Sequence, residues 1–73
     1  MKITYNPQLD TLHILFRSAP ISETSRQSSD VTLDYDQHGR LVGMELATAS
    51  EYVANPYDVS LIAEDALATE GTR

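Results

Sequence analysis

The chain has 73 residues, no cysteine and a net charge of -6, with eleven acidic side chains against five basic ones. The missing thiols exclude a disulfide framework and a thiolate zinc site. The scattered Lys2, Arg17, Arg26, Arg40 and Arg73 form no phosphate-tracking patch, which argues against direct binding of nucleic acid.

A single domain is expected, and a chain of this size buries only about 60% of the surface that its unfolded form exposes. Its core supplies roughly 3–5 kcal/mol, and without disulfides or metal the usual remedies are tight packing or oligomerisation, so a homodimer is expected. The acidic field favours a basic protein partner. No apolar run reaches the roughly 18 residues of a membrane span, and no charged stretch followed by an apolar one opens the chain. The expectation is a soluble, cytoplasmic protein without membrane contact.

Two strands open the chain. Ile3 and Tyr5 alternate with Lys2 and Thr4, and Leu12, Ile14 and Phe16 alternate with His13 and Leu15, a period of two. Between them "NPQLD" reads as a tight connection: Pro7 fixes its own φ, Asn6 is pushed toward extended backbone, and Asp10 can accept from neighbouring amides. Ser18 to Ser29 is polar. Within it "ISETSRQ" alternates weakly, as either an edge strand guarded by Pro20, Glu23 and Arg26 or a disordered loop.

The clearest element follows. Val31, Leu33 and Tyr35 share one face of a strand and Thr32, Asp34 and Asp36 the other, and beyond Gly39 the set Val42, Met44 and Leu46 repeats the pattern opposite Leu41, Gly43 and Glu45. Pairing Tyr35 with Val42 and Leu33 with Met44 brings the apolar sets together, and leaves Gln37 to Arg40 as a loop in which Gly39 takes positive φ. The same stretch, "DYDQHGRLVGME", fits the calcium-loop template with Asp34, Asp36, Gly39 and Glu45, broken only by His38. That template needs flanking helices, and both flanks here have strand periodicity, so the hairpin is the reading adopted.

In the tail, Asn55 can cap, Pro56 suits a first helical position and Asp58 a first turn, which predicts a helix over about Pro56 to Ala68, with "TEGTR" frayed behind it. Val59, Ile62, Ala63 and Ala66 form a stripe at helical spacing. Either it covers the sheet of its own chain or it reaches a second subunit, and Val59, Ile62 and Ala66 are the candidate dimer contacts. The fold class expected is mainly β (α+β): a small antiparallel meander over 1–50 with a C-terminal helical extension and frayed tail over 51–73.

Little chemistry is encoded. His13 and His38 have no acidic neighbour at triad or metal-pair spacing, and the six serines between Ser18 and Ser50 lack a G-x-S-x-G elbow or a catalytic lysine. No catalytic residue, metal site or cofactor is expected. Asp10, Asp34, Asp36 and Glu45 are the acidic residues for recognition of a basic partner, beside the plainer reading of a solvated sheet face.

The stretches "ITYNPQLDTLHILF" and "VTLDYDQHGRLVGMELATAS" resemble a family of small bacterial proteins grouped as a domain of unknown function, number 2283. The likeness covers residues 3 to 50 apart from the polar connector. It departs at Asn6, where the family tends to have aspartate, and at His13, where it tends to have an aromatic residue. It implies a compact, mainly antiparallel β domain with no established activity or catalytic residue, and it does not extend to the helix expected after Asn55. In size and acidity such proteins resemble the antitoxin halves of two-gene systems. The function expected is a non-enzymatic interaction module; the rival is a small hydrolase or metal-assisted enzyme using Asp34, Glu45 and a histidine at a dimer interface.

Overall fold

A computed structural model describes residues 1–60; residues 61–73 are outside the described part. The chain forms one five-stranded sheet from β1 (Lys2–Asn6), β2 (Thr11–Leu15), β3 (Glu23–Arg26), β4 (Val31–Tyr35) and β5 (Leu41–Leu46), followed by a 3-10 turn at Ala49–Glu51. The spatial order is β1-β2-β5-β4-β3, and every neighbouring pair is antiparallel. β5 lies at the centre, and the chain reaches the far edge before it returns there. The weakly alternating connector segment is therefore a strand, at an edge, and its polar residues Glu23, Thr24 and Arg26 suit that place.

Register follows the apolar pattern. Ile3, Ile14, Met44 and Leu33 form one cross-strand row, and Tyr5, Leu12, Leu46 and Val31 the next. Leu33 pairs with Met44 as expected, but Tyr35 pairs with Leu41 rather than Val42, because a bulge shifts the register between Asp34 and Tyr35. The extra residue, Val42, is fully buried, and its carbonyl accepts from the amides of Phe16 at 2.7 Å and Arg17 at 3.3 Å. A bulge of this kind bends the strand and tightens its twist. Here it also ties the end of β2 to β5.

The β4–β5 turn is closed by Asp36. Its amide donates to the Arg40 carbonyl at 2.9 Å, its carbonyl accepts from Gly39 N–H at 3.0 Å, and Oδ1 accepts from the amides of His38 and Arg40, each at 2.9 Å. Gly39 takes φ +77°, the left-handed value that its missing Cβ permits. In the β1–β2 turn, Asn6 Oδ1 accepts from the amides of Gln8 and Leu9. Asp10, expected to serve those local amides, instead sits at φ 51° with its carboxylate turned toward Ser50.

The helix expected from Pro56 is not shown. Asn55 does accept from Tyr57 N–H as a capping residue would, at 3.2 Å, but Asp58 N–H closes a single turn onto the Asn55 carbonyl and Val59 and Ser60 continue without regular structure. Tyr57 meets Tyr5 edge to face at 5.0 Å, and residues 61–68 of the expected helix lie outside the described residues. Of the candidate dimer contacts, Val59 is half-buried, whereas Ile62 and Ala66 are outside the described residues.

Gly43 packs tightest. A Cβ there would lie 3.0 Å from the Ile14 carbonyl oxygen and 3.4 Å from His13 Nε2. Because the nearer atom is backbone, Gly43→Ala is expected to cost about 1–3 kcal/mol, read as a lowered urea midpoint at fixed protein concentration. Gly39→Ala meets open space but keeps the unfavourable φ, so about 1–2 kcal/mol is expected there.

Candidate functional site

The sheet is a single layer whose two faces differ sharply. The apolar face carries Ile3, Tyr5, Leu12, Ile14, Val31, Leu33, Tyr35, Met44 and Leu46, and of these only Leu12 is buried, at 3% exposure; the others stay half-covered. Among the described residues the buried hydrophobic side chains are Leu12, Val42 and Ala49. The four strands that carry these side chains, at about 4.8 Å spacing and five residues at about 3.3 Å, give the apolar face a footprint on the order of 300 Å². A patch of that size is within the range of the largest apolar patch on a typical monomer, a patch that is often functional.

The polar face is ordered by the same register. Thr4, His13, Glu45, Thr32 and Arg26 form one row across all five strands, and Lys2, Leu15, Gly43, Asp34 and Thr24 the next. With no side chain on Gly43, His13 and Asp34 approach over it, Nε2 to Oδ2 at 3.8 Å. Asp34 is 8% exposed, and its Oδ1 accepts from Thr24 Oγ1 at 2.9 Å. Thr24 lies on the edge strand, so this bond fastens β3 to β4 by a side chain as well as by backbone.

At the end of the sheet away from the β4–β5 turn, two aspartates hold the segment after β5. Asp10 accepts from Tyr5 Oη at 2.6 Å and from Ser50 Oγ at 2.6 Å, while its carbonyl accepts from Ala49 N–H at 2.9 Å. Asp30 accepts from Thr48 Oγ1 at 2.8 Å and from the Tyr52 hydroxyl, and its carbonyl from Ala47 N–H at 2.7 Å. Thr48 itself is left-handed at φ 54°. These bonds explain why "ATAS" turns sharply back and brings Ala49 into full burial.

The charges respond to these partners. The Ser50 and Tyr5 hydroxyls hold Asp10 below the usual carboxylate range, and those of Tyr52 and Thr48 do the same for Asp30. Asp36 is lowered chiefly by the Arg40 amide, then by the His38 amide and the Arg40 guanidinium, against the opposing effect of burial. The bond to Asp10 is the main cause that pushes the Tyr5 phenol up to about 12, and Asp30 likewise raises Tyr52.

A family described as "Protein of unknown function (DUF2283)" matches residues 2–50, which span the whole sheet and the "ATAS" turn. The chain belongs to the DUF2283 family. No curated protein and no solved structure matches it. The family match thus covers β1 to β5 and ends at Ser50, the residue that Asp10 grips.

Of the four carboxylates selected in this DUF2283 chain for partner recognition, Asp34 and Glu45 share the polar face, Asp36 closes the turn, and Asp10 stands at the opposite end. They form no single cluster. Asp34 faces Gly43 and Glu45 faces Thr32, which leaves Asp36 and Glu45 about 13 Å apart along the ribbon, so the calcium-template positions diverge. Among the described residues no three His, Cys, Asp or Glu side chains converge as a metal set. Asp30, Tyr5 and Tyr52 were not singled out from the sequence. The signal for Asp30 is its place just before a strand, where an aspartate commonly accepts from turn groups, but nothing local reveals partners 18 and 22 residues away.

These shifts set a pH window. A lowered aspartate stabilises the fold above its unfolded value of 3.8, and that contribution disappears as the pH falls through the lower folded value. Tyr5 works in the opposite sense, because its raised value contributes fully below 10 and is lost as the pH climbs toward about 12. Thermal melts across pH are expected to show both losses. Tyr5→Phe removes part of the alkaline step, and Asp10→Asn reduces both.

Proposed function

We propose that this DUF2283 protein is a non-enzymatic interaction module that works as a homodimer, two copies meeting through the apolar sheet face. The observation that carries this is the half-covered face itself. Eight of its nine side chains remain partly open to water, and among the described residues there is no second sheet to lay over them. An isologous contact places Met44, at the centre of the row Ile3, Ile14, Met44, Leu33, near the twofold axis.

The second half of the proposal is a basic protein partner drawn by the net charge of -6. Glu45 is its best-placed contact on the polar face, being exposed between His13 and Thr32. Asp10, Asp34 and Asp36 contribute to the field from positions where their oxygens already accept internal bonds. The antitoxin comparison belongs here too, as an analogy of size and charge. A cytoplasmic setting fits the cysteine-free composition; no helix among the described residues is long and apolar enough to cross a membrane.

One observation favours a second reading, the small hydrolase: His13 stands 3.8 Å from Asp34 with Glu45 directly across from it. The rest of the face argues against it, since the described cavities are lined by other residues and Asp34 is engaged by Thr24. Turnover of an ester or phosphoester that disappears in His13→Gln would favour this enzyme over the module.

Sedimentation at micromolar concentration is expected to show a dimer, and Met44→Lys, which sets two charges against each other on the axis, a folded monomer. A monomeric parent protein removes the first half of the proposal. For the second half, binding of an oligolysine probe is expected to weaken as salt rises and in Glu45→Lys; salt-independent binding counts against it.

A further inference from the structure

Outside both sheet faces, the connector between β2 and β3 and the β4–β5 turn enclose a cavity of about 350 Å³. That volume is within the range of small-molecule sites. Ala19, Pro20 and Ile21 supply an apolar wall, and Ser22, His38 and Arg40 bring polar groups to the same space. Ile21 is 52% exposed although it is a large aliphatic side chain, so the wall is open to a ligand.

The decisive feature is how Arg40 is held. Asp36, 5% exposed, accepts from Arg40 Nε at 2.9 Å through Oδ2, while its other oxygen is occupied by two turn amides. The guanidinium is thereby oriented by a carboxylate that cannot turn away. Its terminal Nη fork has no hydrogen-bond partner among the described residues. A planar fork fixed at one edge and free at the other is suited to bidentate pairing with a second carboxylate, and little side-chain entropy is left to lose.

We propose that this cavity binds a small organic carboxylate with an apolar body, the acid group on the Arg40 fork and the body against Ala19, Pro20 and Ile21. His38 also lines the cavity. A free metabolite and the C-terminus of an apolar peptide share this chemistry, and they differ in whether an amide precedes the acid.

Chemical-shift titration of the full chain with benzoate and with N-acetyl-leucine, at constant pH and ionic strength, tests the proposal. Saturable shifts of the Ser22, Gln37, His38 and Arg40 amides are expected, with a Kd on the order of 1 mM for such small probes. A tighter fit of N-acetyl-leucine points to a peptide end, and of benzoate to a free acid. Arg40→Gln is expected to weaken binding at least about tenfold, the loss of a charge-assisted bidentate contact. Since Arg40→Gln also removes a bond that closes the turn, Ile21→Asp provides an independent check: it leaves the Asp36–Arg40 pair in place and is expected to abolish the shifts by repulsion. Absence of saturable shifts up to roughly 30 mM overturns the proposal. So does equal binding of the neutral benzamide, or retention of full affinity in both variants.

Discussion

The sheet has two faces, and among the described residues no second layer lies over either of them. That constraint governs everything else in the molecule. Stable domains bury the apolar face of a sheet against a second layer. Here nine side chains line one face, and among the described residues the only segment that returns toward it is the turn that sets Tyr57 against Tyr5. The physical cost is plain: at about 25 cal/mol per Å², water contact left on half-covered Ile, Leu, Val and Met side chains is stabilisation not yet realised. The proposed second copy would realise it without any new sequence.

The acidic residues look different once their bonds are known. An excess of six negative charges suggests a surface prepared for a cation, yet Asp10, Asp30 and Asp36 each accept two or three hydrogen bonds from the chain itself. They stand where strands end. A short sheet must turn abruptly, each turn strands backbone amides and hydroxyls, and an ionised carboxylate satisfies several at once. Asp36 serves one end of the sheet, and Asp10 and Asp30 the other, so much of the acidity is structural bracing. Of the selected carboxylates, Asp34 and Glu45 lie within strands and close no turn, and Glu45 is the exposed one of the two.

Legibility followed the range of the interactions. Strand periodicity placed the two hairpins, Gly39 and the Leu33–Met44 pairing, because each depends on residues close in sequence and on a pattern of period two. The edge strand stood open against a loop, since "ETSR" carries almost no apolar signal; backbone pairing with β4 and the bond from Thr24 to Asp34 decide it. The Tyr35–Val42 pairing failed because alternation continues smoothly through "LVGMEL" and gives no sign of the bulge. What ties Val42 there is a backbone bond from Phe16, 26 residues earlier. The same reason hid the Asp10 partners, 40 residues away at Ser50. At the tail, local cap residues were present and the cap bond forms, yet no helix follows it in the described residues, and most of the stretch expected to be helical lies outside them.

An exposed apolar face and two open sheet edges invite uncontrolled stacking as readily as a defined dimer, and the distribution of charge decides between them. The edges carry Lys2, Thr4 and Asn6 on β1 and Glu23, Thr24 and Arg26 on β3, charged or polar groups that discourage strand addition. The reverse face carries the row from Thr4 to Arg26 and a buried aspartate, which another apolar face cannot cover without stranding polar groups. Among the described residues the apolar face is the surface on which burial is favourable, and the proposed dimer sets it against its own copy. A self-complementary patch closes after two copies, whereas an edge or a pair of unlike faces would propagate. In the proposed dimer, the net negative charge spread over what remains outside would repel further copies.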